Sequence, residues 1–487
     1  MLGWTRPDPP RPPSGLDCAI AVGGLVVLVS LGFYLFGDGA SYGPNQIALV
    51  LAATVAGGIA WKNGHSWHSV REAVVAGISS ALPAVFILGA VGALIGTWAM
   101  SGTLVAMVYY ALGILSPHYF YLSACIVCAL VALSIGSSWT VAGTIGVGLM
   151  GVAAQMGLSP YITAGAVISG AYFGDKASPL SDTTNLAAAS AGAELFAHIR
   201  ASVVTSGPAL AIALILFGLL GEPHDFDASA TQAAIAGSFQ VTPWAFLPLV
   251  VVLVLSFLKA PAFNAIIAGA VTGGIMAVIL VPDLVLHLAD APDLPRALGL
   301  LKGVWTALAS GFHYKSADPA LDQLLTRGGM ESMLNTVWLI LAALAYGSVL
   351  EHGGILQRLV QPLLGAARSA FGLVGTVVGT CVGANLITGD QYIAIVLPGR
   401  MFKAEFAERR LPPILLSRTL GDSATVTSAL VPWNSCGAYM AATLGVATQD
   451  YLPYAFLNIF NPVVTILVAF LFWRRASPPA VAAPAQA

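Results

Sequence analysis

Between Ala73 and Gly174 the chain carries no Asp, Glu, Lys or Arg, and then Asp175, Lys176 and Asp182 arrive within Gly174-Asp-Lys-Ala-Ser-Pro-Leu-Ser-Asp-Thr-Thr-Asn-Leu186. A soluble domain cannot be assembled around so long an uncharged stretch, because its surface needs charge. In a bilayer the opposite holds, and backbone there is satisfied by helices or closed barrels. An ionisable group in the middle of an apolar membrane chain costs roughly 2.5–3.5 kcal/mol on insertion scales. Three of them in one short motif therefore mark an ion or substrate site.

Composition agrees, with 57% hydrophobic and 9% charged residues against about 25% charged in soluble domains. The fold class expected is an all-α polytopic membrane protein in contact with the lipid bilayer. The net charge of −2 gives no support for a nucleic-acid partner. Apolar runs of about 20 residues predict spans at Leu16–Phe36, Pro44–Trp61, Ala73–Met100, Tyr119–Ile135, Ala201–Leu220, Pro243–Leu258, Pro261–Val281, Ser332–Leu350, Ala370–Leu386 and Tyr451–Trp473. Between them Thr140–Gly157, Tyr161–Phe173 and Thr183–Gly192 are rich in Gly, Ala and Ser and read as less regular. Such backbone is tolerated at membrane depth where it is buried in protein or lines a cavity.

Two halves match at a shift of about 250 residues. Ser101-Gly-Thr-Leu104 falls on Gly353-Gly-Ile-Leu356, Gly136 on Gly383, and Gly174-Asp175 on Gly421-Asp422. Arg6, Arg11, Lys62, Arg71, Arg474 and Arg475 place both termini in the cytoplasm, whereas the junction between the halves has Glu222, Asp225 and Asp227 without Lys or Arg. These orientations make the halves inverted-topology repeats with broken or re-entrant helices at the midplane, where such transporters bind their cargo. The expected division is a disordered cytoplasmic tail 1–15, a first repeat 16–220, an extracytoplasmic linker 221–242, a second repeat 243–475 and a disordered tail 476–487. A basic loop, Lys62–Glu72, holds His65 and His68 beside Trp67 and reads as interfacial.

A dehydrated alkali cation needs several oxygen ligands, and the first motif supplies carboxylates at Asp175 and Asp182, hydroxyls at Thr183 and Thr184 and an amide at Asn185. Lys176 is a candidate counter-ion. Gly174 and Pro179 are expected to interrupt the helix there. Asp422 and Asn434 complete the candidate site from the second half, with Ser138, Asn385, Asp390, Ser423 and Thr425 as secondary candidates. A buried carboxylate can hold either a proton or a cation, which is the simplest route to antiport. No His-Glu-x-x-His occurs, and no nucleophile–base pair suggests an enzyme. Cys125-x-x-Cys128 lies inside an apolar run and reads as core.

The run Ser169-Gly-Ala-Tyr-Phe-Gly-Asp-Lys-Ala-Ser-Pro-Leu-Ser-Asp-Thr-Thr-Asn-Leu186 closely resembles the signature of the NhaC-type sodium/proton antiporter family, and Gly421-Asp422 through Val431-Pro-Trp-Asn-Ser-Cys-Gly-Ala438 resembles its second-half motif. The resemblance implies a secondary transporter of the ion transporter superfamily in a bacterial inner membrane, moving sodium and protons and needing no cofactor. Some relatives exchange malate and lactate, so a sodium- or proton-coupled organic acid or amino acid transporter is the alternative. A homodimer is left open.

Overall fold

The computed structural model describes residues 9–41, 43–221, 228–238, 241–313, 325–326, 328–366 and 369–473. The expected tail 476–487 and most of the tail 1–15 lie outside them, as do the acidic residues of the expected linker. The described residues form an all-helical protein. Eight helices are long and apolar enough to cross a membrane, or nine if the pair Thr448–Tyr454 and Phe456–Phe472, bent by 55°, is one span.

In chain order the helices are α1 (Gly15–Phe36), α2 (Pro44–Lys62), α3 (Trp67–Ser80), α4 (Leu82–Met100), α5 (Thr103–Leu112), α6 (Phe120–Ile135), α7 (Ser138–Val141) and α8 (Val147–Gln155). Next come α9 (Pro160–Ala177), α10 (Asp182–Ala191), α11 (Leu195–Leu219), α12 (Ala228–Ser238), α13 (Leu247–Phe257), α14 (Ala262–Leu280), α15 (Pro282–Ala289) and α16 (Arg296–Ser310). The rest are α17 (Leu334–His352), α18 (Ile355–Ala366), α19 (Ala370–Thr388), α20 (Gln391–Glu408), α21 (Pro413–Leu420), α22 (Ser435–Leu444), α23 (Thr448–Tyr451) and α24 (Phe456–Trp473). α6 lies along α9, α4 along α14, α2 along α17 and α11 along α24.

Three local expectations need correction. The predicted span Ala73–Met100 is two helices joined at Ala81, because Pro83 in the first turn of α4 has no N–H to donate and its ring crowds the preceding turn. Tyr161–Phe173 belongs to α9, a continuous helix that runs through Gly174 to Ala177. Its small residues serve packing instead: a Cβ on Gly170 would meet the Cys125 carbonyl oxygen at 2.1 Å, and one on Gly174 the Ala129 carbonyl oxygen at 2.3 Å. Glycines four apart thus let α9 touch α6 backbone to backbone. The break comes only at Ser178–Ser181, around Pro179.

Four chain breaks meet in pairs. α6 ends on Gly136 at φ 78°, and a Cβ there would lie 2.7 Å from Leu180 Cβ, so the first break crosses the second with no room for a side chain. In the second half α19 ends on Gly389 at φ 66°, whose carbonyl accepts from Ser435 N at 2.9 Å, just past the break before α22. The same interval separates Gly136 from Gly389, the N-cap Ser181 from the N-cap Asn434, and Gly192 from Gly445, both of which close helices at positive φ. Gly383, the expected match of Gly136, lies instead inside α19 with open space around it. That interval also sets Asp422 opposite Ser169 and Asp390 opposite Ser137, so Asp422 is not the positional counterpart of Asp175.

A candidate cation and proton site

Asp175 sits in the last turns of α9 and is 4% exposed. Ser138, at the start of α7, donates both its backbone N–H (3.1 Å) and its hydroxyl (2.7 Å) to Asp175 Oδ2. Ser137 makes that geometry possible, because as N-cap it accepts from Thr140 N and turns the chain just after Gly136. Asp175 Oδ1 is buried with no hydrogen-bond partner. Asp175 lines a cavity of about 560 Å³ together with Ser138, Trp139, Asp182, Thr183, Lys259, Asp390 and Tyr392.

Around this cavity the predicted residues divide. Ser181, not Asp182, caps α10; Asp182 follows it, accepting from Thr183 N at 2.8 Å and from the Tyr392 hydroxyl. Thr184 does not line the cavity. Its hydroxyl donates to the carbonyls of Asp175 (3.3 Å) and Lys176 (3.2 Å) at the end of α9, where the Asp175 carbonyl also accepts from Ser178 N. Asn185 is exposed and donates to the Pro179 and Ser181 carbonyls. Asp390, a secondary candidate, is 6% exposed, caps α20 by accepting from Ile393 N at 2.8 Å, and borders the cavity.

Asp422 and Lys176 lie elsewhere, in a second, fully packed polar cluster. Lys176 Nζ pairs with Asp422 Oδ1 and donates to Ser206 Oγ at 2.6 Å. Asp422 Oδ1 also accepts from Asn461 Nδ2 at 3.1 Å, and Oδ2 accepts from the Thr205 and Thr465 hydroxyls, both at 2.7 Å. Each oxygen has two donors, and Asp422 does not line the cavity that Asp175 borders. Asp422 lies in a π-helical turn, Gly421–Thr425, a distortion frequent at functional sites. Ser423 and Thr425 are buried in the same turn: Ser423 donates to the Thr419 carbonyl, and the Thr425 carbonyl accepts from Gln391 Nε2 at 2.9 Å. Asn434 caps α22 through Cys436 N at 3.0 Å and donates to Asn385 Oδ1 at 3.1 Å, and Asn385 in turn donates to the Ala424 carbonyl at 2.7 Å. These asparagines tie broken ends together.

Sequence reading missed Tyr392, the α11 donors Thr205 and Ser206, and the α24 donors Asn461 and Thr465. It also missed Trp139, whose ring stacks on Tyr439 at 4.0 Å and 12° beside the cavity, while the Tyr439 hydroxyl donates to the Trp139 carbonyl at 2.7 Å. Among the described residues no group of three or more His, Cys, Asp and Glu side chains is placed to hold a metal ion. The five cysteines are free and buried, Cys125 and Cys128 among them.

The profile of the Na+/H+ antiporter family matches residues 170–473, a stretch that contains Asp175, Asp182, Asp390 and the Lys176–Asp422 cluster but not Ser138. The chain belongs to the Na+/H+ antiporter family. It is 36% identical to the Na(+)/H(+) antiporter NhaC of Bacillus subtilis over 432 residues, 88% of this chain and 92% of that one. NhaC of Alkalihalophilus pseudofirmus is 35% identical over 410 residues, 83% of this chain and 85% of the relative. A Bacillus subtilis malate-2H(+)/Na(+)-lactate antiporter is 33% identical over 466 residues, 94% and 95% of the two chains. The protein is thus a multi-pass membrane protein of an antiporter family.

Proposed function

We propose that this family member exchanges sodium for protons across the bacterial cytoplasmic membrane, with Asp175 as the group that carries one or the other. The observation that carries this reading is the divided environment of Asp175, a residue that lines the cavity: one oxygen is held twice by Ser138, the other is buried without a hydrogen-bond partner. A buried acceptor without a donor is costly. A proton on Oδ1 or a sodium ion against it relieves that cost, and the two occupants exclude each other. Asp182, Thr183 and Asp390 border the same cavity and supply further oxygens. Lys176 and Asp422 act beside this site as an ion pair whose opening accompanies turnover.

The matching intervals between Gly136 and Gly389, Ser181 and Asn434, and Gly192 and Gly445 support two repeats, 16–220 and 243–475, joined by 221–242. With the basic residues of the loops and termini in the cytoplasm, the repeats run in opposite directions. A second cavity of about 670 Å³ is bordered by Glu331, Asn335, Thr443 and Thr448. Ser435 and Cys436 border the first cavity, Pro432 and Ala438 the second. A single turn of chain at the start of α22 separates them, which fits a barrier that alternates in access.

The test is sodium-driven proton movement in proteoliposomes of the purified protein, read with a trapped pH dye. Flux present in wild type and lost in Asp175→Asn supports the reading; flux unchanged in that variant defeats it. A second reading adds an organic acid as cargo. It is favoured by Lys259 at a cavity whose volume falls within the roughly 300–1,000 Å³ of small-molecule sites, and by the malate-lactate antiporter among the relatives. Proton flux that appears only once malate or lactate is added would establish it.

A further inference from the structure

Arg418 is 7% exposed, yet its Nε and Nη2 are buried without a hydrogen-bond partner. Its nearest carboxylate is Asp422, four residues on, with Nε 3.9 Å from Oδ2. That is too long for a hydrogen bond and about 1 Å from becoming one. The cluster therefore holds two cations, Lys176 and Arg418, around one carboxylate that only Lys176 reaches at hydrogen-bond distance. His198 faces it as well, with Nδ1 against Ser417 Oγ and its ring next to Gly421, while Thr205, Ser206, Asn461 and Thr465 contribute neutral donors. A guanidinium whose Nε and Nη2 make no hydrogen bond is not kept in such a place for packing alone. It cannot shed its charge, and a hydrophobic side chain would fill the space at less cost.

We propose that Arg418 is the reserve counter-ion of Asp422: it closes on Oδ2 whenever Lys176 lets go of Oδ1. Both sit on one short stretch, with Arg418 near the end of α21 and Asp422 in the π-helical turn that follows it. A small change in that turn brings them together without moving the helix. Asp422 is never left buried and uncompensated, and this is what allows the Lys176–Asp422 pair to open at all. Arg418 is thus a positioning residue, acting through Asp422 and not on the cargo.

The role has a signature that a merely structural arginine lacks. In purified protein, Lys176→Gln and Arg418→Gln are each expected to lower the thermal midpoint by no more than about 3 °C, because the other cation covers Asp422. The double variant loses both and falls by more than about 10 °C, or does not fold. Lys176→Gln with Arg418→Lys recovers most of the loss. A double loss equal to the sum of the singles overturns the proposal. So does either single variant failing to fold alone, since that cation would then be indispensable at rest.

A flux arm separates this from the exchange reading on which its role in turnover rests. In proteoliposomes Arg418→Gln is expected to lower the maximal sodium-driven proton flux at least tenfold with the KM for sodium within twofold, and Arg418→Lys to restore it in part. Synergy in stability with unaltered flux would leave the reserve pairing standing and reject the opening of Lys176–Asp422 during transport.

Discussion

Ser138 binds Asp175 through two donors aimed at a single oxygen, backbone N–H at 3.1 Å and hydroxyl at 2.7 Å, and leaves the other oxygen without a hydrogen-bond partner. The arrangement is chemically asymmetric. Oδ2 is held by the protein, and Oδ1 has a lone pair to offer a new partner. Ser138→Ala keeps the backbone donor and removes the hydroxyl. A hydrogen bond to a charged group contributes about 1.5–3 kcal/mol, so the carboxylate loses orientation and ionic support together. The expected result is a weaker KM for sodium by roughly tenfold or more, with flux persisting at saturating sodium, whereas Asp175→Asn shows none.

Asp182 should matter less than Asp175, although the motif presents them as equals. It is exposed, and its oxygens are already met by Thr183 N–H and the Tyr392 hydroxyl. Water can replace what Asp182→Asn removes, and a screened carboxylate has modest reach. The sodium KM is expected to rise several-fold with maximal flux largely retained. Raising ionic strength with choline chloride should shrink the difference from wild type.

Thr184 provides the contrasting case of a motif residue with a structural task. Its hydroxyl bridges the start of α10 to the last carbonyls of α9, and its loss leaves the Lys176 carbonyl without this donor, at about 1–3 kcal/mol. Thr184→Val is expected to lower the thermal midpoint by several degrees while the KM for sodium stays at its wild-type value. A change in KM without a change in stability would return Thr184 to the cation's ligands.

How far the sequence could reach is visible in particular residues. The α9–α10 motif was legible because an ionisable group in an apolar run needs a reason, and Asp175 has one. Asp390 was legible as an acid and as no more than that, since its place beside Asp175 in one cavity depends on two chain breaks facing each other. The pairing of Lys176 with Asp422 spans 246 positions and joins groups that differ in their place within the two halves, so motif matching could not tell that Asp422 packs against Lys176 and not beside the cavity that Asp175 lines. The cluster around it did leave a mark. His198, Ser202, Thr205 and Ser206 form one polar stripe on α11, and Asn458, Asn461 and Thr465 another on α24, at spacings that share a helix face. Counting charges alone passes over such stripes. The less regular reading of Tyr161–Phe173 failed for a related reason: glycine there permits contact with α6 and does not break the helix.

The last prediction concerns pH and lies away from the transport site. His65, in the turn after α2, has Nδ1 3.2 Å from Nε2 of His352 at the end of α17, with ring centroids 4.7 Å apart, and His352 Nε2 is also 3.1 Å from Ser69 Oγ. Burial, and then the neighbouring imidazole, push the His65 pKa below its ordinary value of 6.5. A base whose folded pKa is depressed binds protons more readily when unfolded, so its contribution is complete above pH 6.5 and declines as pH falls below that value toward the folded pKa. Lys62, His68, Arg71 and Glu72 share this loop and α3, and Glu351 precedes His352, so the surrounding charge is mixed. The thermal midpoint of the wild type should therefore drop between pH 7.5 and pH 5.5. His65→Gln cannot take up that proton and keeps a neutral side chain against His352. Its midpoint should fall less over the same interval, and equal slopes for the two proteins would assign the acid sensitivity to other groups.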